Sequence, residues 1–498
     1  MKWANFLHFY QPAQQQADIL EAVATQCYRP VITSIFNNPK ARMTININGS
    51  LLELFDKYGY QDLIKMLREL GERGQVEFVS SAKYHAFLPL LGKEEILRQI
   101  KINDQTNAHY LGEKAYRPKG FFSPEMGYSK HVAEVVEEAG FEWMILDEIT
   151  ATGKVGAVDY SKTYKIQGTK LKAFYRERRL SNAIMSAVVR NTDSLAEAMA
   201  NELAGDKYVL TGMDGETFGH HRPGLEKLLE NVYKDNRFEL VTISELPDLY
   251  PEVVETEPVP STWASSQDDI DRHIQFLSWK DPENPIHAWQ WELFNLVNKT
   301  VRSTKVPEND RELIWRKMDI ATASDHFWWA SAKPWWSLEM IEAGAFMLLD
   351  VMRSVPKISQ KLVKKAEDLY LKIISTACDW QRTGKVRTMA KAQRTITRIP
   401  FKDRTVGRGG AEEGVYHAFI KMMRDLEQKA VQNHEYEKAI LWRDAVFKLE
   451  NKLDIYEAIN IIDLVRLEIP YEEIEKTIDK YKDEYRRIRG GQPEQRGA

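Results

Sequence analysis

Two segments of this chain carry acidic residues in a pattern that could do chemistry. Glu125 lies in Phe-Phe-Ser-Pro-Glu-Met, and Asp214 lies in Thr-Gly-Met-Asp-Gly-Glu-Thr-Phe-Gly-His-His, which ends at His221. Each segment follows an apolar run typical of a β-strand, so each carboxylate is expected where a strand leaves a sheet. Two such acids can share one substrate, because one attacks or stabilises a cationic sugar carbon while the other transfers a proton. The pattern indicates cleavage of a glycosidic bond.

The first half of the chain alternates between strand and helix patterns. Predicted strands are Trp3–Phe9, Met43–Ile47, Gln75–Ser80, Gly120–Ser123, Phe141–Leu146, Tyr208–Met213 and Phe238–Ile243, and predicted helices are Asp62–Arg73, Lys93–Leu111, His131–Ala139, Ser194–Ala204 and Gly224–Tyr233. Such alternation predicts a mostly parallel sheet. With about seven strands, the sheet is expected to close into a barrel with its functional groups at the carboxyl ends of the strands.

With 498 residues, the chain is too long for a single core. We expect a catalytic barrel at 1–255, with Pro251–Pro260 as a linker, and a helical domain at 256–355 that completes the active site. This second part holds nine of the 13 tryptophans, which either form a helical core or line a cleft where rings stack on sugars. Residues 356–498 form a helical C-terminal region with an exposed basic loop at 381–410.

Composition narrows the function classes further. A net charge of −4 gives no general attraction to nucleic acid or anionic membranes, and no apolar run is long enough to span a bilayer. The two cysteines argue against a disulfide framework and suit a reducing cytoplasm. The N-terminus enters a strand at once and lacks the apolar region of a signal peptide. We therefore expect a soluble cytoplasmic protein without nucleic-acid or membrane partners.

Further polar residues follow predicted strands. The first strand ends in His8-Phe-Tyr-Gln-Pro, where His8, Tyr10 and Gln11 supply hydrogen-bonding groups suited to sugar hydroxyls. Glu77 lies inside a strand, where a carboxylate either pairs within the barrel or orients the catalytic site, and His85 follows it. His220 either orients Asp214, binds sugar or caps its loop.

Five motifs, read in order, resemble the sequence regions of glycoside hydrolase family 57. They are His8…Gln11-Pro12, Gly74-Gln-Val-Glu77, Ser123-Pro-Glu125, Met213-Asp-Gly-Glu-Thr-Phe-Gly219 and Ala323-Ser-Asp-His-Phe-Trp-Trp329. Each motif is weak alone, whereas the ordered set is specific. The resemblance covers about residues 1–340 and implies an incomplete (β/α)7 barrel followed by a helical domain. It also implies action on α-glucan with retention of configuration, without a metal or cofactor.

Carried over by position, the resemblance makes Glu125 the nucleophile and Asp214 the general acid/base. His8, Glu77 and Asp325 would line the subsite of the reacting sugar, and Trp328 would shape it. One departure is that many members have His-x-His-Gln-Pro where this chain has His-Phe-Tyr-Gln-Pro. We expect Glu125 to be ionised and Asp214 to start protonated, since two carboxyls about 5–5.5 Å apart raise each other's proton affinity.

Several functions remain open at the level of sequence. Amylase-like hydrolysis of α-1,4-linked glucan or malto-oligosaccharide is the first choice. Transfer by a 4-α-glucanotransferase or a glycogen branching enzyme would use the same residues, and only the acceptor would differ. A metal-dependent polysaccharide deacetylase would need paired Asp and His ligands that the motifs lack. A non-catalytic glucan-binding protein would gain little from two clustered acids.

A second resemblance lies near the C-terminus. Residues 419–452, which include Leu426-Glu-Gln-Lys-Ala430 and Tyr436-Glu-Lys-Ala-Ile-Leu-Trp-Arg443, are similar to the UVR motif, a short helical hairpin. The motif implies a protein–protein contact, because such a hairpin offers an apolar face to a like hairpin. We expect a docking or self-association element there.

Overall fold

The computed structural model describes residues 2–187, 189–200, 205–305, 307–396 and 413–450, with 465, 468, 469, 473, 474, 476, 477 and 480. Its strands are β1 (Lys2–Phe9), β2 (Met43–Ile47), β3 (Val76–Val79), β4 (Gly120–Phe122), β5 (Trp143–Asp147), β6 (Thr163–Ile166), β7 (Lys172–Arg176), β8 (Tyr208–Asp214), β9 (Glu239–Val241) and β10 (Val253–Thr256). Apart from the antiparallel pair β6 and β7, the paired strands run parallel, as the alternating pattern predicts.

Helices follow most of these strands and cover the outside of the sheets. Within the first part of the chain they are Ala17–Val23, Arg29–Phe36, Gly49–Lys57, Gln61–Glu72, Lys93–Leu111, Lys130–Glu138, Ile149–Thr152, Arg178–Met185, Thr192–Ala198, Glu226–Val232 and Leu246–Leu249. A π-helical turn, Ala24–Tyr28, joins the first two. Three-residue 3-10 turns lie at Leu88–Leu90, Pro124–Met126, Gly215–Thr217 and Ile243–Glu245. Two of these turns directly follow β4 and β8 and carry the acidic motifs.

The strands form two sheets that enclose one interior. One sheet has the order β3-β2-β1-β8, with β9 also paired to β1, and the other has the order β10-β6-β7-β5-β4. The sheets meet where Ser80 bridges Phe121, and where the Glu177 amide donates to the Leu210 carbonyl at 2.7 Å. Seven strands therefore follow one another around the interior, β1-β2-β3-β4-β5-β7-β8. The join at Ser80 is an isolated bridge of two backbone hydrogen bonds, and the join at Glu177 is outside the named strands, so the described strands do not form a continuous closed ladder.

Apolar side chains from both sheets fill this interior. Phe6, Phe122, Ile145, Phe174 and Leu210 come from five different strands and belong to one buried cluster. Because strand side chains alternate between the two faces, the opposite face of each strand packs against the helices. The expected incomplete (β/α)7 barrel is confirmed in this form.

Three strands were not expected from the sequence. β6 and β7 are short and contain lysines, and β10 lies in the proline-rich stretch that we expected to be a linker. β10 pairs in parallel with β6 from Val253 to Thr256, before the prolines resume. The linker interpretation is therefore wrong for these four residues.

The remainder of the described chain is mainly helical, as expected. Its helices are Gln267–Asp271, Pro285–Ser303, Glu308–Ala321, Asp325–Trp328, Leu338–Ser354, Gln360–Thr383, Lys385–Ile396, Glu413–Gln432 and Tyr436–Glu450. The basic segment was expected to be a loop from 381 to 410, but its first part completes one helix and forms another, and 397–410 lies outside the described residues. Gly384, with φ of 74°, separates the two helices.

The last two helices form a hairpin with a small core of its own. Phe419 and Met423 on the first helix and Trp442 and Val446 on the second lie in one buried cluster. The helical hairpin expected near the C-terminus is thus present up to Glu450, and 451–452 lies outside the described residues. Among the helices that the structure describes, none is both long and apolar enough to cross a bilayer.

Candidate functional site

Glu125 lies on a strained turn directly after β4. Pro124–Met126 forms a single 3-10 turn in which Glu125 has φ of 62° and Met126 has φ of 49°. Such left-handed conformations are uncommon for residues other than glycine and cost about 1–3 kcal/mol, so they persist where the surroundings impose them. Trp263 is part of those surroundings: its amide donates to the Glu125 carbonyl at 3.2 Å, and its indole Nε1 donates to Glu125 Oε2 at 2.7 Å.

Asp214 is the last residue of β8 and lies level with His8 at the end of β1. The glycines of its motif are required by close packing. A Cβ on Gly215 would lie 2.1 Å from Phe9 Cε1, and a Cβ on Gly219, whose φ is 112°, would lie 1.9 Å from the Gln26 carbonyl oxygen. The turn after Asp214 can therefore lie against β1 and the π-helical turn only because these positions lack side chains.

The two acids face one site and influence each other. Each keeps part of its surface accessible, so the site has an opening. Burial, followed by the negative charge of Asp214, raises the pKa of Glu125 to about 8, against the hydrogen bond from Trp263. Burial raises the pKa of Asp214 to about 6, and the Arg176 guanidinium opposes that rise. We expected Glu125 to be ionised and Asp214 to be protonated. The two pKa values give the opposite order, because near neutral pH and without a bound sugar the proton resides on Glu125.

Neutral aromatic rings form one wall of the site. His8, Tyr10 and His85 stack, with ring centroids 4.3 Å apart for Tyr10 and His85 and 5.0 Å apart for the two histidines. Burial lowers the pKa of His8 to about 4 and that of His85 well below its usual range. The Oδ1 of Asn46 can only accept, so His8 Nδ1 donates to it at 2.7 Å, and Nε2 is an acceptor for a hydroxyl.

His85 closes this wall against the helical part of the chain. Its Nδ1 hydrogen-bonds Ser324 Oγ at 3.0 Å, and its φ of 56° is again left-handed. Its buried Nε2 has no hydrogen-bond partner in the described part of the chain, so it can serve a ligand.

Asp325 enters the site from the helical region. It begins the short helix Asp325–Trp328, and its Oδ2 accepts a hydrogen bond from the Tyr10 hydroxyl at 2.8 Å. Its negative charge adds to the rise in the pKa of Glu125 that burial and Asp214 cause. Trp328, at the end of the same helix, stacks on Trp335 with ring centroids 4.3 Å apart.

Gln11 and His220 contact protein groups that hold the Asp214 turn. Gln11 Nε2 donates to Glu216 Oε1 at 3.1 Å, and the Tyr28 hydroxyl donates to the same oxygen. Burial, followed by the charge of Asp214, raises the pKa of Glu216 to about 8. His220 Nδ1 hydrogen-bonds Gln26 Oε1 at 2.7 Å. The π-helical turn Ala24–Tyr28 thus braces the segment that carries Asp214.

Glu77 is not brought together with the other expected site residues. Glu77 lies level with Thr44 of β2, and Thr44 lies level with Phe6 of β1. Phe6 precedes His8 by two residues, so Glu77 lies two residues short of the level at which His8 enters the site. Its Oε2 accepts from Thr44 Oγ1 at 3.0 Å and from the Ser244 amide at 3.2 Å. Its carboxylate therefore pairs inside the barrel, the alternative that the sequence analysis left open.

A buried ionic network contacts the segments next to Glu125 and Asp214. Asp147, at the end of β5, is fully buried and pairs with Arg176 at 2.7 Å and with Arg178 at 2.9 Å. Arg176 donates to the Gly212 carbonyl of β8 at 2.6 Å, two residues before Asp214. Arg178 donates to the Trp263 carbonyl at 2.9 Å. The Asp147 carboxylate therefore orients Arg176, which contacts the strand that carries Asp214. It also orients Arg178, which contacts Trp263, the donor to Glu125.

Three contributors were missed as site residues in the sequence analysis: Asn46, Arg176 and Trp263. Trp263 was noticed only as one of many tryptophans. Asn46 lies at the end of a predicted strand, which is a usable signal. Arg176 lies at the end of an unpredicted strand, so no sequence signal marked it. Among the described residues, no three His, Cys, Asp or Glu side chains come together in a way that could hold a metal ion.

Comparison with known proteins gives a consistent result. Alpha-amylase 1 of Dictyoglomus thermophilum is 28% identical over 217 residues, which are 43% of this chain and 31% of that protein. The chain therefore spans less than a third of the length of this relative. The structure of 4-alpha-glucanotransferase from Thermococcus litoralis has a TM-score of 0.58 at 17% identity, over 71% of this chain and 60% of that one.

A second solved structure shares the fold over more of its length. The GH57-type branching enzyme from Pyrococcus horikoshii has a TM-score of 0.55 at 16% identity, over 74% of this chain and 94% of that one. At such identities the two structures establish a common fold. The model of glycosyl hydrolase family 57 matches residues 3–258, which is more than half of the chain. This protein is therefore a member of glycosyl hydrolase family 57.

Proposed function

We propose that this chain cleaves α-1,4-linked glucan by double displacement, with Glu125 as nucleophile and Asp214 as general acid/base. The observation that carries the proposal is the convergence of two coupled carboxyl groups at one accessible site, where Trp263 donates to Glu125. The amylase and glucanotransferase relatives support an α-glucan substrate.

In the first step, a Glu125 oxygen forms a bond to the anomeric carbon while the glycosidic bond breaks. Asp214 gives its proton to the leaving oxygen. In the second step, Asp214 takes a proton from water, and the water oxygen displaces Glu125 from the sugar. Two inversions retain the configuration. If a sugar hydroxyl replaces water, the same steps transfer the glycosyl group.

Charge around the site supports these roles once a sugar is bound. The positive charge that develops on the anomeric carbon toward the transition state favours an ionised Glu125, and the Trp263 indole already donates to that carboxylate. The shared proton then resides on Asp214, where the leaving oxygen needs it. His8 Nε2 and the Asp325 carboxylate would accept hydrogen bonds from hydroxyls of the same sugar, and their contacts with Asn46 and Tyr10 support this role.

The proposal extends to the organisation of the chain. Residues 1–255 supply the barrel with both acids, 256–355 supply Trp263 and Asp325, and 356–498 is accessory. Both cysteines, Cys27 and Cys378, are free thiols, which supports a reducing, cytoplasmic location.

Incubation with maltoheptaose tests the proposal directly. The wild type should release shorter malto-oligosaccharides with the α-configuration, followed by proton NMR before mutarotation. Glu125→Gln and Asp214→Asn should each lower turnover by ~10³-fold or more, since each removes one chemical role. Glu142→Gln, at an exposed position, is the matched control.

The outcome also separates the alternatives. Shorter products alone indicate hydrolysis, and a ladder of shorter and longer products indicates transfer. Near wild-type activity in either acid variant, or products of β-configuration, would contradict the proposed mechanism.

A further inference from the structure

Tyr10 joins the barrel to the helical region at the site. It directly follows β1, and its hydroxyl donates to Asp325 Oδ2 at 2.8 Å, across 315 positions of the chain. Its ring stacks on His85 with 16° between the two planes. The amide of Ser324, the residue before Asp325, donates to the His85 carbonyl at 3.1 Å. The ring of Tyr10 is therefore held in place on the side from which its hydroxyl meets Asp325.

Ring contacts also connect Tyr10 with Glu125. The rings of Tyr10 and His8 are nearly parallel, with centroids 5.9 Å apart. The His8 ring in turn meets Trp263 edge-on, with centroids 6.5 Å apart. Because the Trp263 indole donates to Glu125 Oε2 at 2.7 Å, these side chains form one packed group that ends at Glu125. Asp325 is tied to this group by the Tyr10 hydroxyl.

Tyr10 stabilises the charge of Asp325 without neutralising it. Burial, followed by the negative charge of Asp325, raises the pKa of Tyr10 well above its usual range, so the phenol is a neutral donor near pH 7. Many members of the family have a histidine here, which could become a cation instead. Within the described part of the chain, no lysine or arginine forms an ion pair with Asp325. The pair of Tyr10 and Asp325 thus keeps one negative charge.

This charge acts on Glu125. Burial raises the pKa of Asp325, and the hydrogen bond from Tyr10 opposes that rise. Burial is also the main cause of the raised pKa of Glu125, and the charge of Asp325 adds to it. The other titratable groups that face Tyr10 are His8 and His85. Burial lowers the pKa of both imidazoles, so neither is charged near neutral pH.

We propose that Tyr10 is a positioning residue: its hydroxyl holds Asp325 in one orientation and in its ionised form, and the charge of Asp325 in turn acts on Glu125. The inference rests on the proposed function and deepens it, because it assigns a group that controls the proton of the reaction. Loss of the hydroxyl lets Asp325 keep a proton to higher pH. Less negative charge then opposes the ionisation of Glu125, so Glu125 loses its proton at a lower pH.

Tyr10→Phe tests the role of the hydroxyl, because it keeps the ring and its stacking. On the alkaline side, kcat/KM for maltoheptaose should fall where Glu125 and Asp214 lose their last shared proton. We expect this fall to move to lower pH in Tyr10→Phe and in Asp325→Asn, which removes the charge itself. Tyr370→Phe is the matched control. The Tyr370 hydroxyl donates to a carboxylate outside the site, Glu342 Oε1, at 2.7 Å, and its loss should leave the profile unchanged.

A second measurement needs no substrate. In protein labelled with 5-fluorotryptophan, the fluorine resonance of Trp263 should follow the charge of Glu125, since the indole donates to that carboxyl. Trp263→Phe identifies the resonance, and Glu125→Gln should abolish its titration. The midpoint should lie near pH 8 in the otherwise unchanged chain and at lower pH in Tyr10→Phe and Asp325→Asn. Circular dichroism and melting temperature verify that each variant is folded.

The double variant shows whether Tyr10 acts through Asp325. Changes that act through one group are not additive, so Tyr10→Phe combined with Asp325→Asn should have the midpoint of Asp325→Asn alone. An unchanged or higher midpoint in folded Tyr10→Phe overturns the inference, as does an undiminished further shift in the double variant. If Tyr10→Phe does not fold, a lower midpoint in Asp325→Asn supports the inference and an unchanged one overturns it.

The two measurements separate this inference from the proposed function. Wild-type protein that cleaves no malto-oligosaccharide overturns the proposed function, whereas the fluorine midpoints still decide whether Tyr10 acts on Glu125. Wild-type cleavage together with equal midpoints in the wild type and folded Tyr10→Phe overturns the role of Tyr10 alone.

Discussion

At the scale of residues, the site depends on where one proton resides. Burial raises the pKa of both Glu125 and Asp214, and their neighbours then separate the two values. Asp325 adds negative charge near Glu125, whereas Arg176 adds positive charge near Asp214. Without a bound sugar, the two pKa values therefore favour a protonated Glu125 and an ionised Asp214. The proposed mechanism needs the opposite arrangement, so substrate binding must move the proton to Asp214.

The pH dependence of kcat/KM for maltoheptaose should follow this pair. Below about pH 6 both acids carry protons and no nucleophile is present, and above about pH 8 both are ionised and no acid is present. We expect a bell-shaped profile with limbs near these two values. A rate that stays constant from pH 5 to pH 9 would contradict the pairing.

Trp263→Phe should lower kcat by about 10- to 100-fold, because a hydrogen bond to a charged group contributes about 1.5–3 kcal/mol. Loss of the indole donor also raises the pKa of Glu125, so the alkaline limb of the profile should move to higher pH. Steady-state kinetics across pH measure both effects. Trp289→Phe, in the helix Pro285–Ser303, is the control, and equal kinetics in the two variants would contradict the role of the indole.

At the scale of elements, the ends of parallel strands collect the chemistry. β1, β4 and β8 end in or just before His8, Glu125 and Asp214, and β5 and β7 end at Asp147 and Arg176. Carboxyl ends of parallel strands meet at one edge, so short turns suffice to bring these side chains together. The helical region then adds Trp263 and Asp325 from outside the barrel.

Asp147→Asn should destabilise the fold by about 3–5 kcal/mol, because it leaves the buried guanidinium of Arg176 and the partly buried one of Arg178 without their anion. Turnover should fall as well, since Arg176 donates to the strand that carries Asp214 and Arg178 donates to Trp263, the donor to Glu125. Chemical denaturation and kinetics measure the two effects. Asp368→Asn breaks an exposed pair with Lys364, 3.1 Å apart, and should change stability by less than about 1 kcal/mol. Similar stability in both variants would contradict the network.

At the scale of the whole molecule, the C-terminal hairpin forms a cluster separate from the three clusters of the barrel and the helical region. All the site residues described above precede it in the chain. None of the described hairpin residues, 413–450, is among them, and the expected role of the hairpin in protein contacts stays a prediction.

Deletion of residues 411–498 should therefore change kcat/KM on maltoheptaose by less than about threefold, because distant independent parts act additively. Kinetics and light scattering of the full and shortened chains would measure activity and assembly. A shortened chain that folds, as judged by circular dichroism, but cleaves no malto-oligosaccharide would contradict this division.

The sequence by itself determined the fold class, most strands of the barrel and the residue types at their ends. β2 and the helix Lys93–Leu111 were predicted to the residue, because their apolar spacing is set by local geometry. β6, β7 and β10 were missed, because charged residues interrupt the alternation of apolar and polar residues that is typical of a strand. These strands are instead defined by their pairing with neighbouring strands. The strand-end rule also predicted that Glu125, Asp214 and His8 would share a site.

Only the tertiary structure decided how these residues work together. The Trp263–Glu125, Asn46–His8 and Tyr10–Asp325 hydrogen bonds join residues that are 138, 38 and 315 positions apart. Glu77 pairs within the barrel because the sheet register places it level with Thr44. Burial and neighbouring charge set the order of the two pKa values, and both are properties of packing that no local spacing encodes.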